Sequence, residues 1–63
     1  MDPKNRENIR VGLEVSVVEK HNQGAEALTR GLIEDILTNS SYHPHGIKVR
    51  FSTGEVGRVQ IIH

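Results

Sequence analysis

Residues 47–62, IKVRFSTGEVGRVQII, contain the clearest structural pattern in this 63-residue chain. Ile47, Val49 and Phe51 alternate with two basic residues, as in a strand with one buried side and one solvent-facing side. The polar residues 52–55 include a glycine and predict a turn that reverses the chain. This stretch therefore predicts a β-hairpin whose second strand runs to the end of the quoted segment.

A second period-two pattern lies towards the N-terminus. Leu13, Val15 and Val17 alternate with polar residues, which predicts a half-buried strand. The polar segment 20–24 ends in glycine and interrupts this pattern as a turn does. Before the strand, Asp2-Pro3 is typical of a helix start, with a capping residue followed by proline, and predicts one helical turn towards Ile9.

The apolar-rich segment from 28 to 37 is open to two interpretations. Its leucines and isoleucines also fit helical spacing, so a helix over residues 26–37 is the alternative. Gly31 in the middle of the segment and the β-branched Thr29 and Ile33 weigh against a helix. The pattern favours a strand.

Two glycines predict that this strand and the last one are bent. Leu28 and Ile33 cannot share one face of a regular strand, but a bulge or bend at Gly31 would place both in the core. The hexapeptides that begin at Gly31 and Gly57 share the form glycine, any residue, β-branched residue, two residues, isoleucine. We therefore predict an all-β fold, a small, strongly bent antiparallel barrel of about five strands in one domain, residues 1–63.

The central and flanking motifs resemble one protein family. Leu-Thr-Arg-Gly at 28–31, Ile-Leu-Thr-Asn-Ser at 36–40, His-Pro-His-Gly-Ile-Lys-Val-Arg at 43–50 and Val-Gly-Arg-Val at 56–59 are similar to the YwbE family of small bacterial proteins. The resemblance covers nearly the whole chain and implies a barrel of KOW or SH3-like outline. It implies no established activity. The loop 21–27 departs from the family pattern, since it carries Glu26 and no lysine or arginine.

Composition narrows the cellular setting and the class of function. The chain has no cysteine, which excludes disulfides and thiolate-held zinc, and its polar N-terminus is unlike a signal peptide. We expect a cytoplasmic protein without membrane association. A chain of this length is too short for a deep active-site cleft, so we expect neither enzymatic activity nor a small-molecule cofactor.

Histidines and serines in the segment 40–45 raise metal binding and catalysis as hypotheses. His43 and His45 flank a proline, and His21 or His63 would have to complete a metal site. No carboxylate neighbours the pair in sequence, so no metal site is predicted. Ser40 and Ser41 lack the orienting acid that a nucleophile and base require. The neighbouring carboxylates at 34 and 35 are expected on opposite faces of a strand, which excludes a catalytic pair.

Basic residues of the last hairpin form the remaining candidate site. The chain is neutral overall, but residues 38–63 carry three basic residues against one acidic residue. Basic side chains facing out from adjacent strands bind phosphates, and one tyrosine in the preceding loop offers a stacking ring. The predicted nucleic-acid surface consists of Arg30, Tyr42, His43, His45, Lys48, Arg50 and Arg58.

The sequence thus predicts a non-catalytic binding module, RNA-binding or ribosome-associated through this basic sheet face. The alternative is a protein-interaction module that captures a protein partner with the loop 38–46 and a sheet edge. A structural subunit without a ligand of its own is the third possibility.

Overall fold

The computed structural model describes residues 2–19 and 28–63, which form a closed antiparallel barrel. Its four strands are β1 (Glu14–Glu19), β2 (Thr29–Ile36), β3 (Lys48–Phe51) and β4 (Val56–Ile62). Each strand pairs with two neighbours, and β1 pairs with β4 to close the ring. The predicted small, bent antiparallel barrel of SH3-like outline is confirmed. The described barrel has four strands, against about five predicted, and an isolated antiparallel bridge joins Asn5 to Tyr42.

The barrel interior is filled by alternate residues of the strands. Along β3 the burial runs exposed, buried, exposed, buried, which confirms the period-two pattern. Ile47, Val49 and Phe51 all point into the core, as predicted. The buried cluster consists of Ile9, Val15, Val17, Ile33, Ile47, Val49, Phe51 and Val59.

The core prediction is tested by truncating Val49, which is completely buried. We expect Val49→Ala to lower the free energy of unfolding by about 1–3 kcal/mol, because burial is lost and a cavity remains. The matched control is Val11→Ala, since Val11 is 66% exposed and should change stability little. Urea denaturation measures both variants, and equal small losses would place Val49 outside the core.

Strand β2 contains a bulge in the segment that the sequence predicted to bend. Ile33 lies opposite Phe51, but Asp35 lies opposite Arg50, so Glu34 is an extra residue on β2. The bulge interrupts the alternation of side chains. Glu34 is exposed, Asp35 is half-buried, and neither belongs to the core, so the expectation that they face opposite sides of the sheet is wrong.

Strand β4 contains a second bulge of the same kind. Ser16 lies opposite Ile61, but Val17 lies opposite Val59, so Gln60 is an extra residue on β4. Both bulges directly follow a buried core residue, Ile33 or Val59, and both precede an isoleucine that packs against the core.

The two related hexapeptides thus have related structures, although the bulges do not lie at the glycines. Each bulge lies three residues after Gly31 or Gly57, and the glycines themselves permit close packing. A Cβ on Gly31 would lie 2.6 Å from the Phe51 ring, and one on Gly57 would lie 2.6 Å from a backbone oxygen of β1. Leu28 is 40% exposed, so the prediction that the bend brings it into the core is wrong.

The N-terminal segment contains one short helical turn, as predicted, but it begins later than expected. The carboxylate of Asp2 accepts a hydrogen bond from the Lys4 backbone N–H at 2.9 Å and closes a tight turn first. A 3₁₀ turn over Arg6–Asn8 follows and delivers Ile9 to the core.

Some predictions fall partly or wholly on residues 1 and 20–27, outside the described ranges. These include the turn at 20–24, the start of the alternative helix at Glu26, and the loop 21–27. Within the described part of the alternative helix, Thr29–Ile36 form strand β2, which confirms the strand prediction there. The described ranges contain no helix with the length and apolar character that crossing a bilayer requires.

Candidate nucleic-acid interface

Lys48 and Arg58 are directly opposite each other on β3 and β4. Their neighbours Val49 and Val59 are buried, so the two basic side chains face outward from the barrel. Side chains in such a cross-strand position have Cβ atoms about 4.5–5.5 Å apart. Within residues 2–19 and 28–63, neither forms an ion pair with a carboxylate. Two like charges are therefore held side by side without a described counter-charge.

Arg58 and Gln60 attach the 43–46 turn to strand β4. The Arg58 Nη1 group donates to the Gly46 carbonyl oxygen at 3.1 Å, and the Gln60 Nε2 group donates to the His45 carbonyl oxygen at 3.2 Å. An arginine has five N–H donors, so the bond to Gly46 orients the guanidinium and leaves other donors for a ligand. These two hydrogen bonds therefore hold the 43–46 turn next to the pair formed by Lys48 and Arg58.

His43 and His45 lie together on this turn. Their ring centroids are 5.7 Å apart, and the His45 backbone N–H donates to Nδ1 of His43 at 3.1 Å. Removal from water lowers the pKa of His43, and the positive charge of Arg58 lowers it further. His43 is therefore neutral at neutral pH, with Nδ1 as an acceptor.

One groove runs along β4 and collects several charged side chains. Its basic end is lined by Lys4, His45, Lys48 and Arg58 together with Gln60, and Glu19 and Glu55 also line it. We term these seven residues the β4 groove. His43 lies beside the groove and does not line it.

Lys4 also lines this groove, although no sequence pattern indicated it. The His43 N–H donates to the Lys4 carbonyl oxygen at 2.9 Å, and the Ile47 N–H donates to the Pro3 carbonyl oxygen at 3.1 Å. These bonds place the N-terminal segment beside the loop before β3. Such long-range pairing leaves no local signal in the sequence.

The other two arginines of the predicted surface are engaged by carboxylates. Arg50 forms an ion pair with Asp35, which lies directly opposite on β2. Arg30 donates two hydrogen bonds to Glu14 on β1, at 3.0 and 3.2 Å. These bonds and the arginine charge lower the pKa of Glu14, so the pair is ionised at neutral pH. The predicted continuous basic face is therefore divided, and Lys48 and Arg58, which have no carboxylate partner in the described part of the chain, lie in the β4 groove.

Tyr42 is 51% exposed and forms the isolated β-bridge with Asn5. It precedes His43 in the chain but does not line the β4 groove. Phe51 is buried in the core, as expected, which leaves Tyr42 as the exposed tyrosine or phenylalanine of the chain.

The remaining histidines do not join His43 and His45 in the described structure. His63 Nε2 lies 2.7 Å from the Ser16 hydroxyl on β1, and His21 lies outside the described residues. Residues 2–19 and 28–63 hold no group of three or more histidines and carboxylates that could bind a metal ion. The sequence reasoning missed this serine–histidine contact. Ser16 is only 6% exposed, so the contact joins β1 to the end of β4 without offering an accessible nucleophile.

Comparisons with known proteins agree with the motifs. A family model described as "Uncharacterized conserved protein (DUF2196)" matches residues 2–62. The "Uncharacterized protein YwbE" of Bacillus subtilis (strain 168) is 50% identical over 62 residues, which cover 98% of this chain and 95% of that protein. No solved structure gives a significant match. The resemblance read from the motifs is thus confirmed, and the chain belongs to the YwbE family, DUF2196.

Proposed function

We propose that this protein is a small, cytoplasmic, non-catalytic module that binds single-stranded RNA, free or within the ribosome, through phosphate contacts in the β4 groove. The observation that carries the proposal is the outward cross-strand pair of Lys48 and Arg58, without a described carboxylate partner. The KOW or SH3-like outline that the family resemblance implies is compatible with this proposal, but the proposal rests on the residues of the groove.

The chemistry of the groove suits a phosphate group. Arg58 is oriented by the Gly46 carbonyl, and arginine N–H groups bind phosphate oxygens in pairs. Lys48 and Lys4 add two further positive charges on the same groove. Contacts of this kind hold the backbone and do not read bases, so we expect little sequence preference.

The first test is the salt dependence of binding. Three phosphate contacts by Lys4, Lys48 and Arg58 to a single strand predict a log–log slope of about −2, or roughly a 20-fold loss of affinity between 50 and 200 mM salt. Fluorescence anisotropy of a labelled RNA hexamer measures this directly. A flat salt dependence would contradict phosphate binding.

The same assay on three alanine variants locates the site. We expect Arg58→Ala to weaken binding by about 10-fold or more, because charged hydrogen bonds to phosphate are lost. Arg30→Ala removes the same charge from a residue already paired with Glu14 and should change affinity less than about 2-fold. Arg58→Ala also removes the hydrogen bond to the Gly46 carbonyl oxygen, which could by itself weaken binding. Lys48→Ala removes a charge from the same groove and keeps that hydrogen bond, so a loss of affinity in this variant reports on phosphate contacts. Equal losses in all three variants would mean that only net charge matters.

A second candidate function is a protein-interaction module. It is favoured by Leu37 and Tyr42, which are 42% and 51% exposed at or beside the loop 38–46. The closed ring leaves no unpaired edge among the four described strands, so the loop would have to carry the interaction. Apolar contacts of this loop would be insensitive to salt and to Arg58→Ala, which distinguishes the two candidates.

A further inference from the structure

Charge changes sign along strand β4. Glu55 precedes the strand, and Glu19 of β1 lies opposite Gly57. One residue further, Lys48 lies opposite Arg58, and the Gln60 side chain then contacts the His45 carbonyl. The β4 groove therefore has an acidic end near residues 55–57 and a basic end near residues 58–60.

Glu55 at the acidic end is ionised at neutral pH. A hydrogen bond from the Thr53 hydroxyl lowers the pKa of Glu55, so this carboxylate keeps its charge. The Glu19 carboxylate accepts a hydrogen bond from the Thr29 hydroxyl at 3.3 Å. A nucleic-acid backbone running through the whole groove would bring a phosphate next to the Glu55 carboxylate, where like charges repel.

A nucleic-acid strand whose last phosphate lies in the basic end of the groove avoids this repulsion. Building on the proposed phosphate-binding function, we infer that the basic end of the β4 groove binds the terminal phosphate monoester of a nucleic-acid strand more tightly than an internal phosphodiester. A monoester carries a charge of about −1.5 to −2 at pH 7 and offers three acceptor oxygens, whereas a diester carries only one charge. Lys4, Lys48 and Arg58 line the same groove and provide several donors for these oxygens.

Free phosphate and mononucleotides carry the same chemical group. Two features favour a phosphate attached to a nucleoside over free phosphate. Tyr42 precedes His43 in the chain and is 51% exposed, so it offers a ring for a base adjoining the bound phosphate. The bond from Arg58 to Gly46 attaches the basic end to the turn that follows this tyrosine.

The experiment compares three RNA hexamers of identical sequence that carry a 5′-phosphate, a 3′-phosphate or hydroxyl groups at both ends. We expect one of the phosphorylated hexamers to bind about 10-fold tighter than the hydroxyl-ended hexamer, because it adds a charge and donor contacts at the basic end. The preference should disappear in Arg58→Ala and persist in Arg30→Ala. In Glu55→Gln, which keeps the side-chain shape, the hydroxyl-ended hexamer should gain affinity by a few-fold, because repulsion is relieved.

The outcomes separate this inference from the proposed function. Equal affinity for all three hexamers would overturn the strand-end inference and leave phosphate binding intact. No binding of any hexamer would overturn both. Inorganic phosphate that displaces the bound hexamer at concentrations near the hexamer's own Kd would identify a free-phosphate site and would also overturn the strand-end inference.

Discussion

The Gly46→Ala variant is expected to lose a large part of its free energy of unfolding and to melt at a much lower temperature. Gly46 has φ +99°, which side-chain-bearing residues rarely adopt, and its Cβ would press directly against the Val59 carbonyl oxygen. That oxygen belongs to backbone that cannot move freely, because the Val59 N–H donates to the Ile47 carbonyl at 2.9 Å. Backbone strain and overpacking together cost about 2–6 kcal/mol. A domain of this size has a total stability of only about 3–9 kcal/mol.

Gly54→Ala is the matched control. Gly54 has φ +102°, close to that of Gly46, but a Cβ there would meet no heavy atom within 4 Å. Its cost is backbone strain alone, about 1–3 kcal/mol, so this variant should remain folded with a lower melting temperature. Thermal unfolding followed by circular dichroism measures both variants. Equal losses would show that the close packing of Gly46 on β4 contributes nothing.

The Phe51→Ala variant is expected to lose about 3–5 kcal/mol of unfolding free energy. Phe51 is 1% exposed, and its ring occupies the space that a side chain at Gly31 would need. Removing the ring leaves a cavity between β2 and β3 that this small barrel cannot easily close. Phe51→Leu keeps most of the apolar volume and should lose distinctly less.

Urea denaturation distinguishes these two Phe51 variants. We expect the transition midpoint of Phe51→Ala to fall sharply while the slope m stays near the wild-type value, because the native fold is retained. A loss below about 1 kcal/mol for Phe51→Ala would mean that this ring does not fill the core.

The strands followed from local pattern because alternation is a property of neighbouring residues. Val49 and Phe51 are buried and Lys48 and Arg50 are exposed, as the period-two reading of residues 47–51 predicts. The glycine hexapeptides predicted bending in the right strands but not the position of the bulges. A bulge depends on which partner residue lies opposite, and that register is set by barrel closure.

The candidate site was only partly predictable for the same reason. Lys48 and Arg58 face outward beside His45, as the hairpin pattern indicates. Arg50 and Arg30 are instead paired with the carboxylates of Asp35 and Glu14, which are 15 and 16 residues away in the chain. Only the register of the folded sheet brings these charges together.

The most direct test of phosphate binding in the β4 groove is a titration of the ¹⁵N-labelled protein with a single-stranded RNA hexamer, followed by amide correlation spectra. The account predicts progressive shifts of the amide signals of His45, Lys48, Arg58 and Gln60, while those of Arg30 and Leu32 stay unchanged. Shifts centred on Arg30 and Leu32, or an unchanged spectrum at millimolar RNA, would contradict it.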